Sequence, residues 1–300
     1  MSTELAPPGS PPSPGTTTTG GTPDGAASPP RPARPSGGAV RSVLTGLAGA
    51  VVLVGVWWLV AAVVLTGVGP GEAAPIPTPP EVVAGWASDG WSFYARNFSV
   101  TLQEAAIGFL WGNGLALAAA ALVLVAPRLE GAVMQLATLT YCIPIVAIGG
   151  LVVIILGAPP SGQPSPTAIF LAALSVFFTT VVGSLLGLKA ADQAALDVVT
   201  VYGGSRFTQL VKVRVIAALP HILTALQIAV PAAFLGAILG EYFGKVDLGI
   251  GPAMINAQNT LDAARLWGLA LASGAVAMVG YLLFGLVQRF VAPWSRGRAA

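Results

Sequence analysis

Between Leu188 and Pro220 the chain reads L-K-A-A-D-Q-A-A-L-D-V-V-T-V-Y-G-G-S-R-F-T-Q-L-V-K-V-R-V-I-A-A-L-P. This stretch carries Lys189, Asp192, Asp197, Arg206, Lys212 and Arg214 between two long apolar runs, in a chain of which 9% of residues are charged. Such an island is where a chain otherwise immersed in lipid meets water and aqueous partners. It reads as two helices separated at Gly203-Gly204, because glycine relieves the left-handed strain of a sharp helix-to-helix corner.

The flanking sequence sets the solvent. Hydrophobic residues make up 55% of the 300 residues and mean hydropathy is +0.79, above the ~45–50% apolar share of soluble domains. A helix needs ~20 apolar residues to cross a bilayer core, and charge-free runs span 42–71, 105–127, 131–188, 215–240 and 266–288. The run 131–188 is interrupted by G-A-P-P-S-G-Q-P-S-P at Gly157–Pro166, whose prolines end one helix and separate it from the next. The chain therefore reads as an all-α polytopic membrane protein of six spans, at 43–67, 101–126, 132–156, 167–188, 221–243 and 265–290.

An even number of spans puts both termini on one side. With the termini inside, Arg31, Arg34, Arg41, Arg128, Lys189, Arg206, Lys212, Arg214, Arg289, Arg296 and Arg298 are cytoplasmic, and Arg96, Lys245 and Arg265 are external. The positive-inside rule selects this orientation and places the island in the cytoplasm. The net charge of +2 says nothing about partners.

Residues 1–41 hold 10 of the 25 prolines with a T-T-T-T run and little large aliphatic content, so they read as a disordered cytoplasmic tail. Residues 42–300 read as the transmembrane domain, with the first span an uncleaved anchor. The Pro-rich tail reads as an inert spacer, with recruitment of an extended-peptide-binding partner as the alternative.

The island resembles the cytoplasmic EAA loop of bacterial ABC-importer permeases. Asp197 stands for the acidic residue and Gly203, six positions on, for the family's glycine. Val198 and Val199 replace two small residues, and the family's I-x-L-P falls on Val213-Arg214-Val215-Ile216, without its Pro. Ala218-Leu219-Pro220 is similar to the A-L-P of the sulfonate, taurine and nitrate branch. Resemblance to that branch continues in I-P-T-P-P-E at Ile76–Glu81, T-L-Q-E-A-A-I-G-F at Thr101–Phe109, Tyr141-Cys142-Ile143-Pro144, Glu241, and Leu248-Gly249-Ile250-Gly251.

That resemblance implies a type I importer-like fold and a permease subunit without catalytic residues. Its implied partners are separate ABC ATPase subunits, a second permease copy or paralogue, an extracytoplasmic substrate-binding protein and membrane lipid, in a bacterial inner membrane. ATP and Mg would be held by the partner ATPase, and no cofactor, metal or nucleic acid by this chain. The sequence carries no G-x-x-x-x-G-K-[ST], which would cradle phosphates. The implied solute is of the sulfonate, taurine or nitrate type, with a vitamin-precursor or pyrimidine-like heterocycle as the alternative. A secondary transporter without an ATPase is the reading from another class, although the internal repeats that would support it are absent.

The coupling candidates are Asp197, Tyr202, Gly203, Gly204, Ser205, Arg206, Phe207, Leu210, Lys212 and Arg214. As a helix, the second half of the island puts Phe207, Leu210, Val211 and Val215 within an arc of about 140°. Arg214 falls inside this stripe and must snorkel or pair. The alternative is a loop lying on lipid headgroups.

Translocation-path candidates are Glu104, Asn113, Gln135, Tyr141, Cys142, Pro144, Gln227 and Glu241. Glu104 at a helix N-terminus reads as facing external water, with an external gate as the alternative. Glu241 reads as an i,i+4 partner of Lys245, with the same alternative. Pro144 is expected to kink the third span. Tyr141 and Cys142 occupy the place where relatives often have Arg-x before Ile-Pro, and Tyr141 suits an aromatic or neutral solute. Cys142 and His221 otherwise read as packed or interfacial side chains. Trp86 and Trp91 are expected on a short helix at the external surface. Gly108/Gly112, Gly183/Gly187 and Gly236/Gly240 read as packing faces.

Overall fold

The computed structural model describes residues 38–64 and 75–294, with side chains from residue 41. The expected disordered tail therefore lies, except for its last residues, outside the described ones. Among the described residues the chain divides between Val51 and Val52 into two units.

All regular structure among the described residues is helical. Helix α1 covers Gly38–Leu59 and continues through a π turn at Val60–Val64, α2 covers Pro79–Val125, α3 Glu130–Cys142, α4 Ile145–Leu156 and α5 Pro166–Lys189. The island forms α6, Gln193–Val201, and α7, Arg206–Gln209, which passes through a π turn at Leu210–Arg214 into α8, Val215–Phe243. Helices α9, Ile250–Asn259, and α10, Ala263–Val291, follow.

Five helical runs are long and apolar enough to cross a membrane, and the sixth expected span is the pair α3/α4, bent by 92°. The kink expected at Pro144 is there, and it is sharp enough to divide the 132–156 span into α3 and α4. Pro144 has no N–H to give, and the residue before a proline is forced towards extended backbone, as Ile143 is at φ −72°, ψ 129°. The fifth span is corrected. It starts not at 221 but within a continuous run from Arg206 to Phe243, with Pro220 and Pro231 inside α8.

Local chemistry sets the ends. Ser165 caps α5, its Oγ accepting from the Ala168 N–H, with Pro166 in the first turn and Lys189 in the last, the polarity the helix dipole favours. Thr78 opens α2 in a capping box in which Glu81 accepts from the Thr78 N–H at 2.7 Å. Gly90, at φ 72°, breaks α2 near its start.

Helix α5 is the centre of the bundle, packed most extensively on α8 and next on α2. The paired glycines explain the closeness. A Cβ added at Gly183 or Gly187 would collide with Ala225 or with His221 and Ala218 of α8. One at Gly236 or Gly240 would collide with α5 around Leu171 and Ala168, and one at Gly108 or Gly112 with α5 at Ala172 and Ala173. Where lipid is as apolar as the side chains, such close backbone approach is what holds helices together. An aromatic-rich cluster of Tyr94, Phe98, Phe234, Ile238, Ile250 and Leu269 fills one end, and Ala116, Val123, Val181, Leu185 and Ala218 fill the island end.

The first turns of α2 do not lie free at a surface. Trp86 Nε1 donates to the Gly268 carbonyl of α10 at 3.1 Å, and the Arg265 guanidinium of α10 donates from Nε to both oxygens of Asp89, at 3.0 and 3.1 Å. Trp91 is exposed. Arg265, expected in external water, is therefore paired with a carboxylate that is only 3% exposed.

A leucine at Gly240 would drive its Cβ into the backbone of Ala168, which cannot yield, whereas Gly114 has nothing within 4 Å. Gly240→Leu should therefore destabilise the purified protein by about 1–3 kcal/mol or prevent its folding, while Gly114→Leu leaves the detergent-solubilised Tm within a degree or two. Thermal unfolding followed by tryptophan fluorescence checks both.

Candidate functional site

The island forms a braced corner at one end of the bundle. Asp192 caps α6, Oδ1 accepting from the Ala194 N–H, and Gln193 donates to Asp197 at 3.0 Å. Asp197 thus spends an oxygen on its own helix. After Tyr202 the chain turns at Gly203, φ 76°, with Gly203 N–H donating to Thr200 O and Gly204 N–H to Val199 O. This closes off the last carbonyls of α6. Ser205 Oγ then accepts from Thr208 N–H to start α7, and Gln209 Nε2 donates back to Thr200 Oγ1 at 2.7 Å. Each hydrogen bond joins one arm of the corner to itself or to the other, so α6 and α7 are held at a set angle.

The corner presents apolar side chains outward. Leu196 is buried, anchoring α6, while Val198, Val201, Tyr202, Phe207 and Val211 are exposed, Tyr202 to 87%. Arg206 and Lys212 are exposed beside them, and Leu210 and Arg214 are half-buried. The expected stripe is displayed by Phe207, Val211 and Val215, while Leu210 turns partly inward through the π turn. Val198 and Val201 lie outside the coupling candidates. Their signal was present in the i, i+3, i+4 spacing of Val198, Val201 and Tyr202 on a short helix.

The path candidates separate into three groups. Glu104 and Glu241 are fully buried, 0% and 1% exposed. Neither faces water, and Glu241 does not pair with Lys245 as expected; its oxygens accept instead from Thr101 Oγ1 and from Gly251 N–H, both at 2.6 Å. The Glu104 carboxyl lies beside it and accepts from Ser165 N–H. Three successive amides at the start of α9 are received by side chains of other helices. Gly249 N–H goes to Asn97 Oδ1 at 3.2 Å, Ile250 N–H to Thr101 Oγ1 at 3.0 Å, and Gly251 N–H to Glu241. These are the donors a helix start leaves unpaired. Gly249, at φ 140°, leaves no room for a Cβ beside the Glu241 carboxyl. Nothing local in the sequence signals these roles of Asn97, Thr101 and Ser165, because polar residues of this kind gain their meaning only from partners far along the chain.

Asn113 is buried between α2 and α5, donating to Phe109 O and accepting from Thr180 Oγ1. Gln227 donates to the Tyr281 carbonyl across an open groove between α8 and α10, about 980 Å³ in volume and also lined by Gln288 and Arg289. Gln135, Tyr141, Cys142 and Pro144 are exposed together along α3 and its break.

Residues 112–297, more than half of the chain, match the family described as the inner membrane component of binding-protein-dependent transport systems. The chain belongs to this family. It is an ABC importer permease, a subunit type that works with ATPase and substrate-binding protein partners. A protein of Haemophilus influenzae named as an ABC transporter permease is 28% identical over 201 residues, 67% of this chain and 79% of its own. A formylaminopyrimidine transport permease of Halalkalibacterium halodurans is 23% identical over 75% of this chain and 88% of its own. A protein of Bacillus subtilis named as an aliphatic sulfonates transport permease is 24% identical over 84% of this chain and 87% of its own.

Replacing Thr101 by Val removes the donor to Glu241 and the acceptor for Ile250 N–H, leaving buried polar atoms unpaired. The permease should lose about 1–3 kcal/mol, and hydrogen exchange of the 249–251 amides should accelerate. Thr138→Val, at an exposed position, serves as the near-neutral control.

Proposed function

We propose that this permease moves a small solute across a bacterial inner membrane by docking its 189–220 island into a separate ABC ATPase. The observation that carries this reading is the braced, apolar corner formed by Val198, Val201, Tyr202 and Phe207. A corner stiffened by its own hydrogen bonds transmits displacement, whereas a headgroup-bound loop has no need of one. The island passes without interruption into a helical run of 38 residues, about 57 Å at 1.5 Å per residue. Movement of the corner therefore carries the opposite end, where Glu241 grips α9.

In this reading both termini are cytoplasmic, as the basic-residue bias requires. The ATPase partner holds ATP and Mg, a second permease copy or paralogue completes the path, and a substrate-binding protein delivers the solute from outside. Closure of the ATPases on ATP favours one access state only because the docked islands make different contacts in the two states.

The solute is a small molecule of the sulfonate, taurine or nitrate type. Ala218-Leu219-Pro220 and the aliphatic sulfonates relative support this class. A second reading, a pyrimidine-like heterocycle, is favoured by the exposed Tyr141, whose ring stacks on Phe178 at 4.6 Å between centroids, and by the formylaminopyrimidine relative.

Affinity purification from native membranes tests the docking. The unaltered chain should bring down an ATPase and a binding protein whose ligand identifies the cargo. Phe207→Asp should reduce ATPase recovery at least tenfold, and Gly203→Pro, which cannot adopt φ 76°, should abolish it. Undiminished ATPase recovery with Phe207→Asp, or its absence from a well-folded unaltered sample, would overturn the reading.

A further inference from the structure

Helix α3 has 13 residues, which give a length of about 20 Å, against a hydrocarbon thickness of about 30 Å. It starts at Glu130, which is paired with Lys189 at the island end of the bundle. After Cys142 the chain turns by 92° into α4, so α4 adds little to the crossing and the break lies at hydrocarbon depth.

At this break Pro144 has no N–H. Ile143 N–H bonds to Leu139 O, and Ala147 and Ile148 N–H to Pro144 O. The carbonyls of Thr140, Tyr141 and Cys142 and the amides of Ile145 and Val146 have no backbone partner among the described residues. Non-helical backbone at this depth is tolerated only against protein or a water-filled cavity, and Tyr141, Cys142 and Pro144 are exposed.

A polar stripe leads to the same place. Gln135, Thr138 and Cys142 are all exposed and fall within about 60° of one another on a helix. The opposite side of α3 is buried through Ala137, with Val133, against Val181 and Leu185. No Asp, Glu, Lys or Arg occurs from Gly131 to Leu156. The stripe therefore faces away from the bundle with hydrogen-bonding groups and no charge.

We infer that the Gln135–Thr138–Cys142 stripe and the Ile143–Pro144 break line the water-filled path, as a charge-free passage. Solutes are held there by the Gln135 amide, the Thr138 and Tyr141 hydroxyls and the bare carbonyls, rather than by an ion pair. Selection for an anion, where the cargo is one, falls to the binding protein. The location of the path rests on membrane depth, backbone satisfaction and the polar stripe; its response to ATP and the share of selection left to the binding protein rest on the importer reading.

Cys142 is the single cysteine of the chain, so the unaltered protein carries its own reporter. In lipid nanodiscs it should react with the cationic reagent trimethylammonium-ethyl methanethiosulfonate. In a Cys142→Ala background, cysteines at 135 and 138 should react at least tenfold faster than one at Leu136, an exposed apolar position off the stripe. The rate ratio of this reagent to its anionic sulfonatoethyl counterpart should match that of 2-mercaptoethanol in solution within threefold. Reaction of Cys142 with N-ethylmaleimide but neither charged reagent, or with none of the three, would overturn the water path. A ratio skewed more than tenfold towards the anion would overturn the charge-free assignment. With the copurified ATPase present, ATP should change the Cys142 rate at least threefold; an unchanged rate would count against the importer cycle while leaving the water path standing.

Discussion

The close approach of α5 to α8 is the constraint on which the rest of the structure depends. Gly183 and Gly187 on one helix and Gly236 and Gly240 on the other leave no space for a methyl group between backbones. In a bilayer the expulsion of water supplies no drive between helices, so attraction comes from the number of atoms brought into contact. Seating α8 this tightly fixes both of its ends at once. One end continues into the braced Gly203 corner, and the other positions Glu241 for the amide of Gly251.

Backbone polar groups explain most of the polar residues that the helices carry. Asn97, Thr101 and Glu241 receive the three leading amides of α9, while Glu104 receives that of Ser165 ahead of α5. Two carboxyls that read from the sequence as surface or gate residues are therefore structural acceptors at the ends of other helices. The α3/α4 break is the contrasting case, since its unpaired carbonyls and amides meet no such side chains. The difference separates a seat that holds the bundle from a break left without partners.

Much of the architecture was legible because lipid imposes simple rules. Charge-free length located α5 to within a residue or two and α10 nearly as well, and Gly203 announced the corner between α6 and α7. The two prolines behave oppositely: the kink expected at Pro144 is present as a full break, whereas the helix expected to begin after Pro220 runs through it. Pro144 ends a helix and turns the chain through 92°, whereas Pro220 lies inside α8 without ending it. A proline's missing N–H is the same in both; neighbouring helices decide whether the freed carbonyl can be accommodated.

The sequence by itself determined the all-helical membrane class, the number of apolar segments, the polar island with its glycine corner, and the small-residue faces, because each follows from local composition and helical period. Only the tertiary structure decided what Glu104, Glu241, Asn97 and Thr101 do, that Arg265 pairs with Asp89, and that Gln135, Thr138 and Cys142 stand exposed below an open break. Those roles are hydrogen bonds and exposures between residues as far apart as Asp89 and Arg265. They come into existence only when α2, α5, α8 and α10 are brought into contact, and no local pattern encodes the partner.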